Sequence, residues 1–88
     1  MNLKQLIIAF LAPRDPAAYP AAAIAQRLNA SRMLDRRCTA EGVADDLRAL
    51  HKMKMVDLQI DPMDNSAVWQ ATEEGIKKWV LEGRVTVV

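Results

Sequence analysis

The side chains able to do chemistry in this chain are mostly arginines and lysines. Arg27, Arg32, Arg36 and Arg37 crowd into one stretch, and Arg48, Lys52 and Lys54 follow. A guanidinium pairs with phosphate or carboxylate through a planar fork of donors, and a lysine does so as a point charge, so this stretch is suited to binding an anion. The Arg32, Arg36 and Arg37 group is the leading phosphate-contact candidate; its plainer reading is a solvated loop. Arg48 stands three residues after Asp45, so pairing along the helix competes with its phosphate contact, and Lys52 follows one turn further on. Cys38 is the only cysteine and His51 the only histidine. No internal disulfide and no all-Cys/His zinc site follow from such a set, and a reducing, cytoplasmic setting is expected. Arginine neighbours favour the thiolate of a cysteine, yet an inert thiol is the simpler reading of Cys38. With three scattered glycines and one histidine, the chain lacks a Ser/His/Asp set, a paired-carboxylate cleft and a glycine-rich phosphate loop. A binding module is expected, not an enzyme, with no cofactor and no metal.

The charge is sorted along the chain. Twelve basic and eleven acidic residues give a net +1 over 88 residues. Residues 27–54 hold seven basic and four acidic residues, whereas residues 55–76 hold five acidic residues and no basic one. A nucleic-acid binder needs a basic face rather than a basic total, and the first stretch supplies it. Only four aromatic residues are present, too few for a platform that stacks single-stranded bases, so Trp69 and Trp79 read as core anchors.

The elements that must position these groups follow from apolar periodicity. Leu3, Leu6, Ile7, Phe10 and Leu11 recur at helical spacing behind Asn2, an N-cap residue type, and Pro13 ends that helix. Its apolar run, Leu6 to Ala12, is far too short to span a membrane and reads as a core helix. Three prolines set the loop 13–20, and Pro20 is suited to the first position of a second helix, Ala21 to Leu28, with Asn29 at its end. Residues 30–38 carry no period and read as a connection. Thr39 opens a third helix whose Val43, Leu47 and Leu50 face inward and whose Glu41, Asp45, Arg48 and Lys52 face outward. The period then switches to two. Val56, Leu58 and Ile60 alternate with polar residues as a half-buried strand, 61–66 is a turn, and Ala67–Ala71 returns as the second strand of a hairpin. Thr72, with Glu73 and Glu74 after it, caps a fourth helix with an Ile76, Trp79 and Val80 stripe, ended by Gly83. The tail 84–88 is β-prone.

This order of elements resembles the winged helix-turn-helix family. Ala23-Ile24-Ala25-Gln26-Arg27-Leu28-Asn29 looks like the first helix of the helix-turn-helix. Val43 to Val56 looks like the family's third helix running into its first wing strand. Trp69-Gln70-Ala71-Thr72-Glu73-Glu74-Gly75 is similar to the aromatic-x-Leu-Thr-x-x-Gly close of the wing in many winged-helix regulators. The likeness covers roughly residues 3–82. It implies a mainly helical α+β fold: a three-helix core, a β-hairpin wing and a C-terminal helix, forming one domain over residues 1–88. It also implies binding to double-stranded DNA, with the third helix in the major groove. Arg32, Arg36, Arg37, Thr39, Arg48 and Lys52 are then the expected DNA-binding residues.

The sequence departs from the family pattern in instructive places. Glu41, Asp45 and Asp46 stand early in the third helix, where bases would be read. The wing tip carries Asp61 and Asp64 and no basic residue, and the link between the second and third helices is long. The expected function is that of a small transcriptional regulator or accessory factor of bacterial or phage type. A homodimer is expected because one such module makes few contacts, with the apolar first helix and the tail Val85 to Val88 as candidate surfaces. The alternative is a protein-interaction module on the same fold, whose partner meets Asp61, Asp64 and the acidic face of the third helix.

Overall fold

A computed structural model describes residues 1–87 of the chain. The fold is α+β. Four helices, α1 (Leu3–Leu11), α2 (Ala21–Ser31), α3 (Ala40–Lys52) and α4 (Glu73–Leu81), surround a core closed on one side by an antiparallel hairpin of β1 (Val56–Ile60) and β2 (Ala67–Ala71). Val56 pairs with Ala71 and Ile60 with Ala67, so the six-residue tip 61–66 and both strands lie where the switch of period places them.

The first helix starts at Asn2, whose side chain accepts from the Gln5 amide at 2.9 Å while Gln5 accepts from the Asn2 amide at 2.9 Å. Every residue from Leu6 to Ala12 is buried, on all sides of the helix. A helix apolar all round belongs in an interior, and α1 does pack against α2, α3, α4 and β2. It is therefore spent inside the monomer and offers no face to a second copy, which corrects the expectation of a dimer surface there. After α1 a short 3-10 turn, Ala12–Arg14, leads into the proline loop. Tyr19 in that loop exchanges backbone hydrogen bonds with Trp69 at 2.9 and 2.8 Å, so β2 is paired on both edges.

Two further expectations shift. Pro20 is the N-cap of α2, in extended conformation, rather than its first helical residue. The helix continues past Leu28 to Ser31 and ends on Arg32, which takes a left-handed conformation with φ 59°. The strand β1 is also less buried than its alternation implies. Only Val56 reaches the core; Leu58 and Ile60 are exposed because the hairpin projects beyond the helices.

Residues 84–87 form no strand. They fold back over α1, where Val87 is buried and donates to the Ala9 carbonyl at 3.3 Å, and the Trp79 indole donates to the Val85 carbonyl at 2.8 Å. Of the tail expected as a dimer surface, Val87 is taken up by the core while Val85 and Thr86 stay exposed; Val88 lies outside the described residues. Gly83, at φ 93°, permits the turn, with Gly83 and Arg84 donating back to Val80 and Trp79 in a Schellman pattern. Among the described residues no helix is long and apolar enough to cross a membrane.

The Thr72-Glu73-Glu74-Gly75 run joins the end of α3 to the start of α4. Thr72 donates its hydroxyl to the Lys54 carbonyl at 2.6 Å and its amide to the Met55 carbonyl at 3.1 Å, and its hydroxyl oxygen accepts from the Gly75 amide at 3.1 Å. A β-carbon on Gly75 would stand 2.2 Å from the Met55 carbonyl oxygen. Glycine is required at that position because two backbone segments meet there.

Candidate functional site

The connection between α2 and α3 carries Arg32, Arg36 and Arg37, and it is anchored despite its lack of regular structure. Asn29 does not end α2 as a cap. Its side-chain amide donates to the Cys38 carbonyl at 2.9 Å, and its carbonyl oxygen accepts from the Cys38 amide at 2.8 Å. Ser31 donates its hydroxyl to the Leu28 carbonyl at 2.6 Å and accepts from the Met33 amide at 3.3 Å. Leu34 and Cys38 pack against the core while Arg32, Arg36 and Arg37 stay exposed. Leu34 and Cys38 thus turn in, while the arginines and Met33 turn out.

Cys38 completes the anchor. Its thiol lies 3.6 Å from the Ala25 carbonyl, and burial pushes its pKa up, outweighing the neighbouring Arg37 charge that favours the thiolate. The arginine setting therefore does not activate this thiol; it is a packing residue, in line with the inert reading.

The third helix presents its expected outward face. Val43, Leu47 and Leu50 are buried, and Glu41, Asp45, Arg48 and Lys52 are exposed on the opposite side. Thr39 is the N-cap, its hydroxyl accepting from the Gly42 amide at 3.0 Å, and the hydroxyl proton remains free to donate. Asp46 is withdrawn from the outward face by Lys4 of α1, at 3.2 Å. Arg48 pairs with Asp45, the pairing that competes with phosphate contact. The acidic start of α3 is thereby reduced to Glu41 as its one exposed, unpaired carboxylate among the described residues.

Of the seven basic residues in 27–54, only Arg48 has an ion-pair partner among the described residues. The six others are exposed. Elsewhere most cations are engaged: Lys4 with Asp46, Lys77 with Glu74, Lys78 with Glu82, and Arg14 over the Phe10 ring at 4.1 Å. The structure brings Arg32, Arg36, Arg37 and Thr39 into the anchored segment leading into α3 and places Lys52 on the helix's outward face. Arg27 and Lys54 share the exposure and lack of partners of the named candidates. Their signal in the sequence was membership of the basic stretch alone.

The hairpin tip is built from its own carboxylates. Asp61 accepts from the Met63 amide at 2.9 Å and Asp64 from the Ser66 amide at 3.0 Å. Hydrogen bonds from the Ser66 hydroxyl and amide hold the Asp64 carboxyl below its ordinary value, so it stays ionised at neutral pH. His51 stands edge-on to Trp69, with ring centroids 6.1 Å apart, on the rim of the core. Trp69 and Trp79 anchor the hairpin and α4 to the core, as expected of them. Met33, Met53 and Met63 are exposed, while Met55 packs against the core. No protein-family model, curated protein or solved structure gives a significant match to the chain.

Proposed function

We propose that the chain is a winged helix-turn-helix protein that binds double-stranded DNA, as a transcriptional regulator or an accessory factor. The observation that carries this reading is the concentration of exposed, unpaired cations on the anchored α2–α3 connection and around α3. Cations without carboxylate partners are available to phosphates, and phosphate neutralisation supplies most of the affinity of such proteins. The order of three helices, hairpin and helix supports the family reading, and the Thr72–Gly75 junction gives its wing-closing motif a structural purpose. Arg32, Arg36, Arg37 and Lys52 are the phosphate contacts in this reading. Thr39 donates at the start of α3, and Arg48 joins by leaving Asp45. The wing, with no basic residue in 55–66, stays off the backbone.

Fluorescence anisotropy with a labelled random-sequence duplex at two salt concentrations tests the proposal. Affinity should fall steeply with salt, and Arg36→Ala and Arg37→Ala should each lower the magnitude of the logarithmic slope by about one. Absence of a salt-dependent signal contradicts it.

A second reading, a protein-interaction module, draws support from the wing tip. Met63 is 90 % exposed between Asp61 and the ionised Asp64, an apolar and acidic tip suited to a basic partner. The α3 part of that surface is weakened, because Asp45 and Asp46 already hold Arg48 and Lys4. Under this reading Asp61→Lys with Asp64→Lys abolishes an association that Arg36→Ala leaves intact.

A further inference from the structure

A second feature of the surface lies away from the arginines. It is an open groove of about 860 Å³ where the hairpin meets α4. Ala71, Ile76, Val80 and Leu81 form its apolar side. Val80 is 41 % exposed and Leu81 86 %, so two adjacent large apolar side chains at the end of α4 face water. The rim is acidic and comes from three separate elements: Asp15 after the 3-10 turn, Asp57 on β1 and Glu73 at the start of α4. None of the three has an ion-pair partner among the described residues, whereas Lys77, the cation lining the groove, is matched by Glu74 at 3.5 Å.

An apolar floor inside an unpaired acidic rim selects its occupant by charge. Nucleic acid and anionic membrane surfaces are repelled by the rim. A second copy related by two-fold symmetry presents the same patch, which would bring the carboxylates of one rim against those of the other. An amphipathic helix laid along a groove meets such a surface with apolar residues at i, i+3, i+4 and i+7 and with cations on its flanks.

We propose that the groove between the hairpin and α4 is a docking site for a basic amphipathic helix of another protein. Its apolar side chains cover Val80, Leu81 and Ile76, and its lysines or arginines reach Asp15, Asp57 and Glu73. The inference is independent of DNA binding, since it uses none of the residues assigned to that role.

The test titrates the full chain with a synthetic helical peptide carrying leucines along one face and lysines elsewhere, and with its counterpart in which glutamate replaces lysine. The lysine peptide should bind and shift the amides of 73–81, together with those of Asp57 and Gln70. Leu81→Ser, at a position too exposed to threaten folding, should weaken it about tenfold, the loss expected for one buried leucine contact. Asp57→Lys should weaken it about threefold or more. Asp61→Lys, the same charge change outside the groove, should leave it within twofold, which separates docking from general attraction to an acidic surface. The proposal is overturned if the glutamate peptide binds as well, if Leu81→Ser has no effect, or if sedimentation shows a dimer that Leu81→Ser returns to monomer.

Discussion

The α2–α3 connection and the hairpin tip are both exposed, irregular and charged, and each contains a residue in the left-handed region, Arg32 at φ 59° and Asn65 at φ 60°. They differ in what their charges are used for. In the tip, Asp61 and Asp64 accept backbone amides two residues ahead, so the carboxylates build the turn that carries them. In the connection, the backbone is fixed by the uncharged residues Asn29, Ser31, Leu34 and Cys38, and the arginines hold nothing. Equal exposure therefore does not mean equal availability. A charge consumed by local structure is poorly placed to serve a partner, and one left over by it is free to do so.

The widest separation between the two regions comes from the joint beneath the hairpin. Gly75→Ala places a carbon against the Met55 carbonyl and should cost about 3 kcal/mol, lowering the melting temperature by roughly 10 °C or more, as read by circular dichroism. Hydrogen exchange should show the loss first in the hairpin and α4, with α2 and α3 protected longer. A melting temperature unchanged by Gly75→Ala removes the structural account of the Thr-x-x-Gly run.

Unfastening the other region costs less. Asn29→Ala leaves the Cys38 amide and carbonyl without partners and should cost about 1–2 kcal/mol. Its sharper signature is local: faster exchange of the Cys38 amide and faster alkylation of its thiol, with α4 unaffected. If Asn29→Ala leaves Cys38 protected, the connection is held by something other than this clamp.

The smallest effect belongs to the tip. Asp64 should titrate by NMR below the ordinary aspartate value of about 3.9, and Ser66→Ala should raise its midpoint toward that value. Because the folded-state value is depressed, the contribution of this carboxylate is present at neutral pH and is lost as the pH falls through the folded midpoint. An unshifted midpoint would mean that the tip does not consume its own charge.

Much of the fold was legible because it is encoded locally. The caps Asn2, Thr39 and Thr72 and the hairpin register each depend on residues a few positions apart. Tertiary roles were not legible. Asn29 has the residue type of a helix end, yet it sits inside α2 and bridges to Cys38, nine residues on. The apolar run of α1 gave its identity as a core helix, but not that neighbours would cover every side of it. The alternation of β1 predicts burial that ends at Val56, because no periodicity reveals how far a hairpin overhangs its core. The tail has the composition of a strand but meets no free strand edge, and Val87 docks on α1. The arginines of the candidate site were legible as a composition, whereas their availability required knowing where the carboxylates went. The groove at α4 draws on residues from Asp15 to Leu81 and leaves no pattern in the sequence beyond the adjacent Val80 and Leu81.

The central claim is that the free cations of residues 27–54, and not the wing, meet duplex DNA. It is tested most directly by following the backbone amides of the isotopically labelled protein while a random-sequence duplex is added at low salt. Shifts should concentrate in residues 30–40 and along α3, fade as salt is raised, and leave the tip 61–66 unmoved. A titration in which residues 30–50 do not move, or in which the tip moves and the connection does not, would contradict it.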